Sequence, residues 1–129
     1  MFSDEEWSGL IDKLRHLTAH EKIKWELAEG VIQTAVRGTT YIVESADGDG
    51  AAPWLLRVRT GDEFDGQEID TLTSVGGFES IDPRTKVTPL REIAFRMALG
   101  GPQLANRLLG DLNAIDPSDP PQYGSDDPF

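Results

Sequence analysis

The chain contains no cysteine, which excludes disulfide bonds and thiolate metal sites and is typical of a cytoplasmic protein. It also lacks a long apolar run, because no stretch reaches the roughly 20 residues that a membrane-spanning helix needs. The first residues, MFSDEEW, are acidic, whereas a secretory signal begins with basic residues. Together these features predict a soluble protein of the cytoplasm that does not associate with membranes.

Basic residues are scarce: 12 lysines and arginines stand against 23 aspartates and glutamates, which gives a net charge of −11. Such a charge repels nucleic acids and anionic membranes and favours basic protein partners. It also keeps a protein soluble, whether or not a partner exists. The charge alone therefore leaves both interpretations open.

Motifs that specify chemistry are missing. The sequence contains no nucleophile elbow, no phosphate-binding P-loop and no dinucleotide fingerprint. His16 and His20 are four residues apart, as in some zinc sites, but Leu17 stands where the metalloprotease motif requires glutamate. The acidic stretch 62–70 lacks the ligand spacing of a calcium loop, since Phe64 occupies the third position. We therefore predict no catalytic residue, no metal site and no cofactor.

The clearest local pattern is the stretch 53–60, PWLLRVRT, in which successive side chains alternate between two sets. A period of two is typical of a strand with one buried face. If residues 61–66 form a hairpin loop, the next strand, at about 67–73, pairs with Leu55 opposite Leu72. This register predicts that both leucines lie on the outer face of the sheet.

Two further hairpins are predicted earlier in the chain. The stretch 22–27 alternates as well, and a two-residue turn at Glu29–Gly30 would place Leu27 opposite Ile32. A second turn at Gly38–Thr39, with glycine at the first central position, predicts a type II′ hairpin. The three hairpins together predict an antiparallel meander of four or five strands.

Helical signals flank the strands. Ser3 followed by Glu6 is a capping-box pattern, and apolar residues then recur at three- and four-residue steps, which predicts a helix ending near Thr18. Two shorter amphipathic stretches follow the strands, the second of them opened by Pro102. In the irregular segment 74–86, apolar side chains at positions 78 and 81 are expected to hold the loop against the core.

The predicted architecture is α+β: an N-terminal helix, a four- to five-stranded antiparallel meander, and two C-terminal helices packed with the first helix on one sheet face. Residues 1–115 form one domain of ordinary size. Residues 116–129 are acidic and proline-rich and cannot bury enough apolar surface to fold, so we predict a disordered tail.

The face of the sheet away from the helices is predicted to be a protein interface. Apolar and basic side chains together on an acidic protein are suited to association with a protein partner or a second copy. The residues predicted to form this interface are Ala35, Ile42, Leu55, Arg57, Arg59 and Leu72. In the alternative interpretation the apolar residues are scattered singly, and the basic residues pair within the sheet with Glu26, Glu44, Glu68 and Asp70.

Three functions remain open, in descending order. The first is a non-catalytic protein-interaction module of inhibitor or accessory type, which self-associates or binds a basic protein. The second is a small-ligand binder or enzyme with a site between the Gly76–Gly77 loop and the helices. The third is a weak nucleic-acid binder that uses the lysines and arginines of the strands. The missing motifs and the negative charge favour the first.

Overall fold

The structure, a computed structural model, describes residues 1–61, 66–101 and 103–118. In this part of the chain one helix, five strands and two further helices follow one another in the order that the sequence predicts, which confirms the α+β fold class. The elements are α1 (Asp4–Ala19), β1 (Glu26–Ala28), β2 (Val31–Val36), β3 (Thr39–Ser45), β4 (Trp54–Thr60), β5 (Gln67–Thr73), a 3₁₀ turn (Pro83–Lys86), α2 (Val87–Ala98) and α3 (Gln103–Asn113). Of the predicted tail, residues 119–129 lie outside the described residues, as do residues 62–65 of the predicted acidic loop.

The five strands form one antiparallel sheet in the order β1-β2-β3-β4-β5. The turn between β1 and β2 falls at Glu29–Gly30, where both residues have positive φ, 53° and 79°. Two positive φ values define a type I′ turn, whose twist matches that of the flanking strands. The predicted pairing of Leu27 with Ile32 is confirmed.

The second hairpin turn lies one residue earlier than predicted. Arg37 and Gly38 adopt positive φ, 50° and 82°, so that Val36 pairs with Thr39. The prediction of a turn at Gly38–Thr39 is therefore wrong, because glycine here serves as the second residue of a type I′ turn. The resulting shift of two residues in the register leaves every side chain on its predicted face.

A β-bulge between Val58 and Arg59 changes the pairing of β4 with β5. Arg59 lies opposite Glu68 as predicted, but beyond the bulge the register is shifted by one residue. Leu72 consequently pairs with the fully buried Leu56 and packs against the core. The prediction that Leu72 lies on the outer face is wrong, because one extra residue in a strand turns every later side chain to the other face.

Helices α1 and α2 cover one face of the sheet and pack against each other. Their inner stripes meet the inward side chains of the strands in one core, whose buried members are Trp7, Ile11, Leu14, Trp25, Ile32, Val43, Leu56, Val58, Val87, Leu90 and Ala94. Arg91 of α2 adds a contact at the edge of this core, since its guanidinium lies 4.2 Å from the ring centres of both Trp54 and Phe95. The cation–π contact with Trp54 joins α2 to β4, and the contact with Phe95 lies within α2.

The start of α1 is capped as predicted and tied to the far edge of the sheet. The Ser3 hydroxyl accepts from the Glu6 N–H at 3.1 Å, and the Glu6 carboxylate accepts from the Ser3 N–H at 2.9 Å. Asp70 of β5 accepts from the Phe2 N–H at 2.9 Å. Burial raises the pKa of Asp70, but hydrogen bonds from the backbone of Phe2 and Thr71 outweigh it and hold this pKa below its ordinary value.

We expect Asp70→Asn to lower the free energy of unfolding by about 1 kcal/mol at pH 7. A carboxylate whose pKa is lowered by folding adds stability above its unfolded pKa of about 3.9, and this stability is lost as the pH falls further. Urea denaturation of both proteins at pH 7 and pH 2.5, an acidity chosen to lie about one unit below that pKa, measures the effect. The difference between them should shrink at the lower pH, and an equal difference at both would contradict the assignment.

The loop between β5 and α2 is held by polar contacts. Phe78 is 97% exposed and Ile81 is 93% exposed, so the expectation that they hold the loop against the core is wrong. The Ser8 hydroxyl donates to the Ile81 carbonyl at 3.3 Å, and Arg15 pairs with Glu79 at 2.8 Å. These contacts come from α1, and the buried apolar residue of the segment is Pro83 in the 3₁₀ turn.

Helix α3 lies outside the helical layer. None of its described side chains is buried, and the core cluster contains no residue from it. The expectation that both C-terminal helices pack on the sheet therefore holds for α2 and is wrong for α3. Gly100 and Gly101, both with positive φ, separate the two helices.

Within the described residues, no helix has the length and apolar character needed to cross a bilayer.

Candidate functional site

The outer sheet face carries five of the six predicted interface residues, but it is less open than expected. Ile42 is only 6% exposed although it does not belong to the helix-covered core. Its register neighbours are Gln33 on one side and Arg57 on the other, and side chains of this same face bury it. Leu55 is half-buried and Ala35 is exposed, so Leu55 is the main apolar group that this face offers.

Arg57 is engaged within the sheet. Its Nε donates to Glu68 at 2.7 Å and its Nη1 donates to Glu44 at 3.1 Å. The hydrogen bond to Glu68 raises the pKa of Arg57 most, burial lowers it, and the hydrogen bond to Glu44 raises it further, so that this pKa lies above its ordinary value. The alternative interpretation, in which basic residues pair within the sheet, is confirmed for these two glutamates. Asp70 lies on the core face instead.

Within the described residues, Arg59 has fewer of its hydrogen-bond donors paired than Arg57. Its Nη2 donates to the Gly66 carbonyl at 3.0 Å, whereas its Nε is buried without a hydrogen-bond partner among the described residues. An unpaired buried N–H costs about 1–3 kcal/mol. On the outer face, Arg57 thus pairs with glutamates of the same sheet, the Nε of Arg59 is buried without a partner among the described residues, and Leu55 is the prominent apolar group.

A shallow groove of about 580 Å³ runs along the free edge of β2. It opens because β1 pairs only with Val31–Gln33. Its charged lining comprises Lys22, Lys24, Arg37 and Glu26. Three cations attract an anion, but the lining contains no aromatic ring on which a base could stack. The groove gathers Lys22, Lys24 and Arg37 of the nucleic-acid hypothesis, whereas Arg57 and Arg59 of β4 do not line it.

A second cleft, of about 570 Å³, lies between the start of α1 and the loop that precedes α2. Ser8 and Asp82 line it, but Gly76 and Gly77, beside which a ligand site was predicted, do not. The Ser8 hydroxyl is engaged with the loop backbone, and Arg84 lies 2.8 Å from Asp82 and holds the pKa of that carboxyl below its ordinary value. An ionised, paired carboxylate is a poor general acid at neutral pH.

The two histidines lie at the end of α1. The rings of His16 and His20 are 4.4 Å apart, and His20 is the C-terminal capping residue of the helix. Across the described parts of the chain, no group of three or more histidines, aspartates or glutamates is placed to hold a metal ion. A histidine at this end of a helix interacts favourably with the helix dipole.

Most of the exposed large apolar side chains on the described helices and strands belong to α3. Leu108, Leu109, Leu112 and Ile115 are 49%, 56%, 64% and 40% exposed, and Leu104 is half-buried. At 3.6 residues per turn the four leucines lie on one side of the helix. Together with Ile115, which lies two residues beyond the end of the helix, we call them the α3 face. The sequence predicts this apolar stripe but not its exposure, since periodicity identifies an apolar face without showing what covers it.

The charges of α3 lie beside this face. Arg107 and Asp111 are the only charged residues between positions 103 and 115, so this part of an acidic chain is neutral. They are four residues apart and therefore share one flank of the helix.

Comparison with protein-family models, curated proteins and solved structures finds no match to this chain. The surfaces described above are therefore the basis for a proposal on its function.

Proposed function

We propose that this protein is a non-catalytic protein-interaction module that docks through the α3 face. The observation that carries the proposal is the exposure of three leucines along one helix and of Ile115 just beyond its end. Contiguous apolar surface on a protein is typical of an interaction site. Burying such side chains in an interface contributes about 25 cal/mol per Å².

The length of α3 supports the same proposal. The helix has 11 residues, and an isolated helix of this length is marginal in water. Most helices in proteins are stabilised by packing of their apolar face, which α3 does not receive from the described core. A partner that covers the α3 face would supply this packing, so that docking and ordering of the helix would reinforce each other.

The other hypotheses find less support. A ligand site or an active site needs convergent polar groups in a concave pocket, whereas the polar groups of the cleft beside α1 bind one another. The groove along β2 is basic but lies on a chain of net charge −11, which opposes nucleic-acid binding. The outer sheet face remains the second candidate surface for a protein partner, with Leu55 as its apolar group.

Affinity capture from an extract of the source cells tests the proposed surface. The baits are the full chain, its Leu108→Glu/Leu112→Glu variant, and its Leu55→Glu variant. Because all three leucines lie outside the buried core, we expect each bait to fold, which circular dichroism checks. Proteins bound by the wild type and by Leu55→Glu, and lost in the α3 variant, are the expected result.

Two other outcomes decide between the surfaces. Loss of the partner in Leu55→Glu alone would move the docking site to the outer sheet face and overturn the proposal for α3. Capture that is unaffected by every substitution, or no specific capture at all, would count against an interaction module that uses either surface.

A further inference from the structure

We infer that the α3 face binds the α3 face of a second copy of this chain, with the two helices antiparallel about a two-fold axis. The inference rests on the proposed function and names the partner. A two-fold interface uses the same patch on both subunits, so the patch must be complementary to itself. The α3 face meets this condition in both its apolar side chains and its charges.

The apolar side chains are arranged symmetrically about a point within α3, with Ile115 two residues beyond the end of the helix. Leu104 and Ile115 are equally distant in sequence from the point between Leu109 and Gly110. With the two-fold axis at this point, Leu104 of one copy meets Ile115 of the partner subunit, and Leu108 meets the region of the partner's Leu112. Each exposed leucine then packs against an apolar side chain.

The charges select the antiparallel orientation. In an antiparallel pair about such an axis, the same flank of each helix meets its counterpart. Arg107 of one copy then lies opposite Asp111 of the partner subunit, and the contact occurs twice. A parallel pair would instead bring this flank against the opposite flank of the partner helix, which carries no charged residue, so that Arg107 would meet no carboxylate there. The charge pattern of α3 is therefore complementary to itself only in the antiparallel arrangement.

The local neutrality of α3 makes self-association compatible with the net charge of −11. Repulsion between distant exposed charges is screened beyond about 8 Å at physiological ionic strength, and the stretch 103–115 adds no net charge at the contact. The helix is about 16 Å long at 1.5 Å per residue, so the interface belongs to the small, transient class. We infer a reversible dimer whose population depends on concentration.

Sedimentation equilibrium of the full chain tests the dimer. The protein concentration is varied from about 10 μM to about 1 mM, the range of dissociation constants expected for a small interface. The mass should rise with concentration from 14.2 kDa towards twice that value. Arg107→Asp and Asp111→Arg should each weaken the dimer roughly tenfold, because like charges then meet at both contacts. Both residues are exposed, so neither change disturbs the core.

Two recombined forms supply the matched controls. The double variant Arg107→Asp/Asp111→Arg restores opposite charges across the axis and should recover the dimer. An equimolar mixture of the two single variants should form a heterodimer more readily than either variant forms a homodimer, since one chain then carries two acidic and the other two basic side chains. A merely structural role for either residue would produce neither effect.

The outcomes separate this inference from the proposed function. A wild type that stays monomeric throughout, or a dimer that the single substitutions leave unchanged, overturns the self-pairing. If such a protein still captures another protein that Leu108→Glu/Leu112→Glu loses, the interaction module stands with a different partner. If the α3 variant changes neither association nor capture, both proposals fail.

Discussion

Replacing Trp25 with alanine is expected to lower the free energy of unfolding by about 3–5 kcal/mol, the usual cost of removing a large buried aromatic side chain. Trp25 is 4% exposed and belongs to the core. Its Nε1 donates to the hydroxyl of Thr18 at 2.9 Å, and that hydroxyl donates to the Leu14 carbonyl at 2.6 Å. The indole thus joins the last turn of α1 to the residues that lead into β1.

A double-mutant cycle separates the hydrogen bond from the packing. Thr18→Val leaves the buried indole N–H without its acceptor, which should cost about 1–3 kcal/mol. The other single variant is Trp25→Phe, which removes the indole N–H. In the Thr18→Val/Trp25→Phe double variant both polar partners are gone, so its loss of unfolding free energy should be smaller than the sum of the losses in the two single variants. Urea denaturation at pH 7 measures all three, and strict additivity would contradict a direct coupling between these side chains.

Leu90→Ala in α2 is expected to cost about 2–5 kcal/mol, while the same change at Leu112 in α3 should stay within about 0.5 kcal/mol. Leu90 is fully buried, and Leu112 is 64% exposed. The chemistry of the substitution is identical and both positions are helical, so the difference reports burial. Thermal or urea unfolding at a concentration below about 10 μM, where a weak interface is largely dissociated, keeps self-association from contributing.

The stability of the Leu112→Ala variant also bears on the proposed function. A small loss at Leu112 means that the leucines of α3 contribute little to the stability of the single chain, so that their apolar surface remains for a partner. A loss at Leu112 comparable to that at Leu90 would place α3 in the core and remove the observation on which the proposed function rests.

Much of this fold follows from local rules in the sequence. Ser3 and Glu6 form the predicted capping box because both partners lie within one helical turn. The strand around Leu56 follows from its alternation, and the turn at Glu29–Gly30 from the tolerance of glycine for positive φ. These features depend on residues that are close together in the chain, and a sequence pattern therefore predicts them.

The features that the sequence left undetermined depend on which segments meet. The bulge at Val58 and Arg59 turned Leu72 into the core, and no period within either strand predicts such an insertion, because it depends on how the two strands fit together. Ile42, predicted to be exposed, is buried by residues from neighbouring strands. The sequence by itself determined the elements and the apolar stripe of α3, and the tertiary structure alone decided that α1 and α2 fill the core and leave that stripe exposed, since burial is a property of contacts between distant segments.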